Sequence, residues 1–184
     1  MEDYFVKYQT PEGFDLPRLM NDDFWLAIKL VFNAGHYASA SKLLLSFVDS
    51  IAFVESGESD GRAFRSWLNR YTDLTRLGIT AEELWEHRNA LLHMTRLDSR
   101  KIEAGKVKRL IAYVGPLPPG YPTEDGDSKW FNLFDLMKAI ADGCSCYIET
   151  LQANPAQIEV FASRYDLIVS DVRQERVALE PAAV

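Results

Sequence analysis

The sequence predicts an all-α fold, a helical bundle of four to six helices with one irregular Pro/Gly-rich connection. Apolar residues recur at helical spacing in several successive segments, such as Phe24, Trp25, Ile28, Val31 and Phe32, or Phe64, Trp67, Leu68 and Tyr71. The breaks between these segments carry helix stop and start chemistry, at Gly35, at SGESDG (56–61), at Gly78 and at Asn154-Pro155. With 47% hydrophobic and 26% charged residues, the chain has the composition of a packed domain, which argues against disorder as its main state. Its 184 residues suffice for one well-cored domain and are short for two.

Pro11, Gly13 and Pro17 predict an extended lead-in over 1–20, before a single domain spanning 21–172. The first helix is expected to begin near Asn21–Asp23, whose side chains can cap free amides, and to stop at Gly35. A second follows over about 37–55, burying Ala40, Leu43, Leu44, Phe47, Val48, Ile51 and Val54, with Asp49 deep within it. The third covers RAFRSWLNRYTDLTRL, 62–77. Thr80 and Glu83 form a capping box that starts the fourth, since the Thr oxygen and the Glu carboxylate can each satisfy a free backbone amide. Residues 110–114 read as a short strand or extended wall piece, followed by a Pro/Gly loop and the acidic loop TEDGDS at 123–128. Helices are expected over 129–151 and from Asn154-Pro155 to about 170, with a frayed tail over 173–184.

The acidic N-terminus lacks the apolar run of a signal peptide, and no stretch reaches the roughly 18–20 apolar residues of a membrane span. Cys144 and Cys146 are too close for an ordinary structural disulfide and read as small packing residues, because no second ligand pair accompanies them. A cytoplasmic location and no membrane partner are expected. A net charge of −7 argues against broad nonspecific nucleic-acid binding. The charge is uneven: residues 61–110 hold 11 Lys/Arg against 6 Asp/Glu.

ELWEHRNALLHM, 83–94, lies in that basic stretch. Wound at about 100° per residue, it gathers Leu84, Trp85, Leu91 and Leu92 within roughly 60° of Arg88. A guanidinium in an apolar stripe costs several kcal/mol unless it is paired, and arginine cannot escape by losing its proton. Three readings satisfy it: an internal ion pair, with Asp49 on the neighbouring helix as one candidate; an interface with a partner helix; or a phosphate ligand, which suits its planar fork of donors. Asn89 and His93, one turn apart, stand on the edge of the stripe. Glu86, His87 and His36 are assigned no role: the first two are expected in solvent, and His36 at a helix junction.

Arg88 to His93, R-N-A-L-L-H, matches the R-x4-H motif of HEPN domains, including the polar residue after the arginine. The helix AGHYASASKLLLSFVDSIA also resembles the entry helices of that family, so the likeness covers roughly 22–150 in organisation. The resemblance implies an α-helical homodimer with two motifs facing one cleft, and in many members a metal-independent endoribonuclease of toxin–antitoxin or phage-defence systems. His93 would then act as general acid/base, Arg88 would bind the scissile phosphate, and Asn89 would orient either of them. Asp49 would be a supporting acid. The implied ligands are RNA or a nucleotide, the implied partner is an antitoxin, and no metal or cofactor is implied. Other members of the family are non-catalytic dimerisation, nucleotide-binding or protein-binding modules.

Overall fold

The computed structural model describes residues 4–94 and 99–168, apart from the side chains of residues 93 and 94. The fold is mostly α-helical, with two small two-stranded sheets. The tail expected at 173–184 lies outside the described residues.

The N-terminal segment is folded rather than extended. A 3₁₀ turn at Tyr4–Tyr8 leads into a hairpin of β1 (Gln9–Thr10) and β2 (Gly13–Phe14), and helix α1 runs over Leu16–Met20. Asp15 caps α1 by accepting from the Arg18 amide, and Pro17 fits the first turn, where no intrahelical N–H is needed. The helix therefore begins five residues before the Asn21 expected as its start, and Asn21–Trp25 form a π turn leading directly into α2, Leu26–Asn33. The segment is held by burial of Tyr8, Leu16, Leu19 and Met20 and by Asp23, which accepts from the hydroxyls of Tyr4 and Tyr165.

His36 stands between α2 and α3, at the expected junction; α3 is Tyr37–Ser56. Ala40, Leu44, Phe47, Val48 and Ile51 are fully buried there, at a typical gain of about 1.5–3 kcal/mol for each of the larger side chains. Leu43, expected inside, is exposed. Contrary to the sequence expectation, α3 is long and apolar enough in composition to cross a membrane. Half of its apolar window is buried among α2 and neighbouring helices, a packing compatible with a soluble protein.

Helix α4, Gly61–Tyr71, starts at an Asp60 cap. It stops short of the expected residue 77 because Thr72 turns extended, and Thr75–Leu77 form a separate 3₁₀ turn before Gly78. Helix α5, Ala81–Asn89, opens on the Thr80–Glu83 capping box and passes into a second π turn, Ala90–Met94. After the short α6, Arg100–Glu103, strand β3 (Arg109–Tyr113) pairs in parallel with β4 (Ser128–Asn132). The strand alternative for 110–114 holds. The helix expected from 129 begins instead with a strand; α7 is Leu133–Gln152, capped by Asn132.

Helix α8, Pro155–Asp166, closes the bundle. Its Arg164 donates to the carbonyls of Val54 and Glu55, which the end of α3 leaves without intrahelical partners. Cys144 is buried as a packing residue should be, whereas Cys146 is exposed.

Candidate functional site around Arg88

Arg88 stands in the last turn of α5, beside α3. Its Nε donates to Asp49 Oδ2 at 2.6 Å, and its Nη1 donates to Asn89 Oδ1 at 3.1 Å. The guanidinium lies over the Trp85 ring at 5.1 Å, an arrangement possible because the two residues are three apart on one helix. The Arg88 side chain is 17% exposed and that of Asp49 26%. Charge pairing, an amide contact and an aromatic face thus fix the group while leaving an edge in reach of solvent. The ion-pair reading of Arg88 is met by the residue named for it, and Asp49 joins Arg88 and Asn89 in one cluster.

His93 belongs to the π turn, and its side chain lies outside the described residues. Its backbone position is informative. In a continuous α-helix, positions 88 and 93 stand roughly 140° apart around the axis. A π turn places more residues in each turn, and so brings position 93 closer to the side of Arg88. Leu84 is fully buried, whereas Trp85, Leu91 and Leu92 are half-buried against the core. The stripe is therefore partly internal and partly an outer wall around the arginine.

The two neighbours expected in solvent are buried. Glu86 is 5% exposed; its Oε2 accepts from Ser99 Oγ at 2.5 Å and its Oε1 lies 3.2 Å from Lys101 Nζ. Ser99 also caps α6, so Glu86 fixes the point at which the chain returns after the motif. His87 is 3% exposed, with its ring edge-on to Phe131 and a hydrogen bond to the Leu110 backbone. Burial pushes its pKa down to about 4, although the Leu110 bond opposes the shift, and the ring is neutral at pH 7. Its Nδ1 has no hydrogen-bond partner. Both residues point away from the apolar stripe, so periodicity put them in water. Packing of α6 and β3 against that side of α5 buries them. Trp85, three residues before Arg88, was the one additional contact that spacing could have revealed.

The positive balance of 61–110 is largely answered within the chain. Arg62 pairs with Asp60, Arg65 with Glu82, Arg70 with Glu55, Arg76 with Asp73, and Lys108 with Glu124. No group of three or more potential metal-binding side chains occurs among the described residues. No family model matches the chain, and neither curated proteins nor solved structures match it.

Proposed function

We propose that the chain is a HEPN-type, metal-independent endoribonuclease acting in the cytoplasm as a homodimer. In this reading it serves as a toxin or phage-defence effector held in check by an antitoxin. The observation that supports this most is the Arg88 cluster: a guanidinium oriented by Asp49, Asn89 and Trp85, still partly open to solvent, on the helix that continues to His93. Arg88 would hold the scissile phosphate and balance the charge that develops on it. His93, with an ordinary histidine pKa near 6.5, would move the proton between the 2′-hydroxyl and the leaving oxygen. Asn89 would orient them.

Incubation of the purified protein with RNA in EDTA tests this, alongside Arg88→Ala and His93→Ala. Cleavage is expected in the parent alone, and cleavage that survives both substitutions would rule the site out. A monomer by sedimentation equilibrium would rule out the shared cleft.

A second reading has its own observation. The Asp49 carboxylate already satisfies Arg88 without any ligand, as a non-catalytic dimerisation, nucleotide-binding or protein-binding module would require. That reading expects no cleavage under any condition, and loss of the dimer when Leu91 or Leu92 is replaced by Glu.

A further inference from the structure

A groove of about 460 Å³ opens on another side of α5, between the start of α3 and strand β3, within the size range of small-ligand sites. Its wall is mostly apolar and includes Tyr37, Leu91 and Leu133, with His87 and Ala112 adding polar groups. The position of β3 determines which backbone groups it receives. The Arg109 amide donates to the Asp127 carbonyl, which sets the phase of the parallel ladder with β4. In such a ladder alternate residues bond to one neighbour, so Arg109, Ile111 and Tyr113 face β4, and Leu110 and Ala112 direct their amides and carbonyls to the opposite edge. There His87 takes the Leu110 backbone. Ala112 is exposed, lines the groove, and its amide and carbonyl have no partner among the described residues.

An edge this short does not suit a docked strand. Between the Leu110 backbone bound by His87 and the end of β3 at Tyr113, Ala112 alone presents both groups, whereas strand addition uses several residues in register. One donor beside one acceptor, next to an apolar wall, does match the hydrogen-bonding edge and flat faces of a heterocycle. The geometry points to a nucleobase site, with the base edge bonded to the Ala112 amide and carbonyl and its rings against Tyr37, Leu91 and Leu133. His87 and Leu91 belong to the same run as Arg88, so the base held here is one flanking the phosphate at Arg88. That placement rests on the ribonuclease reading; the base site itself does not.

The four nucleosides, free of phosphate, are the probe. The ¹H–¹⁵N signal of the Ala112 amide is followed in the full-length protein, and affinity is measured by calorimetry. At least one nucleoside at millimolar concentration is expected to move that signal, and Ala112→Pro to weaken binding tenfold or more. The substitution removes an amide that the ladder does not use, at an edge where proline is tolerated. Should it unfold the protein, Ala38→Trp narrows the groove from α3 and is expected to weaken binding in the same way. Nucleosides that leave the Ala112 signal unmoved overturn the proposal, as does binding indifferent to both substitutions. A blocked peptide of alternating Val and Thr that moves the signals of 110–114 when no nucleoside does also overturns it, in favour of strand addition. RNA cleavage lost in Arg88→Ala but unchanged in Ala112→Pro removes the base site and leaves the ribonuclease standing. Nucleoside binding that depends on Ala112 in a protein that never cleaves RNA does the reverse.

Discussion

Arg88 on α5 and Asp49 on α3, 39 positions apart in the chain, form a charge-assisted hydrogen bond of 2.6 Å that ties the two helices together. Removing one partner strands the other in a half-buried setting. Asp49→Ala is expected to lower stability by about 1–3 kcal/mol in urea unfolding. Replacing both, with Asp49→Leu and Arg88→Met, is expected to restore most of that loss, because an apolar pair carries no desolvation cost. A double variant no more stable than Asp49→Ala would mean that the pair does more than satisfy itself.

His87 makes stability depend on pH. Its folded pKa, about 4, lies below the ordinary value of 6.5, so the unfolded chain binds the proton more readily. Its contribution is therefore complete above pH 6.5 and is lost as pH falls from there towards 4, by up to about 3 kcal/mol. Unfolding midpoints measured from pH 7.5 to 4.5 should fall over that window. His87→Gln should flatten the slope, and an unchanged slope would place the effect in other groups.

The Glu86–Ser99 contact is expected to behave as a unit. Glu86→Ala and Ser99→Ala should each cost about 1–3 kcal/mol, since each leaves a buried polar partner behind. The double variant should cost clearly less than their sum. Additive losses in a double-mutant cycle would show that the two side chains act separately.

Gly143 sets how closely α7 approaches the end of α4. A Cβ there would lie 2.5 Å from the Thr72 methyl and 3.0 Å from the Tyr71 carbonyl. Gly143→Ala should therefore destabilise by about 1–3 kcal/mol, although alanine is the better helix former. A rise in melting temperature would show that the helices can separate without cost.

What could be read from the sequence follows the range of the interactions involved. The Thr80–Glu83 box and the stops at Gly35 and Gly78 rest on contacts within a few residues, and local pattern located them. The Arg88–Asp49 pair was within reach because an uncompensated guanidinium demands a carboxylate and the preceding long helix carried one. Strand β4 was hidden because its partner lies 19 positions earlier in a parallel register, and its own residues run without a break into the periodic pattern of α7. Glu86 and His87 were misplaced for a related reason: α6 and β3 cover a face that periodicity alone leaves to solvent. The π turns were invisible, since the choice of an i→i+5 bond leaves no mark on composition.

The turn at Ala90–Met94 also bears on how the chain tolerates changes in length. A π turn amounts to an α-helix holding one residue more than its pitch accommodates. That spare residue is slack stored inside the motif, between Arg88 and the anchor at Ser99. Deleting one position there would let the helix rewind and rotate everything after it by about a quarter of a turn relative to Arg88. The spacing of five that separates Arg88 from His93 is thus a mechanical setting as well as a pattern of letters, and it can be altered without changing either residue.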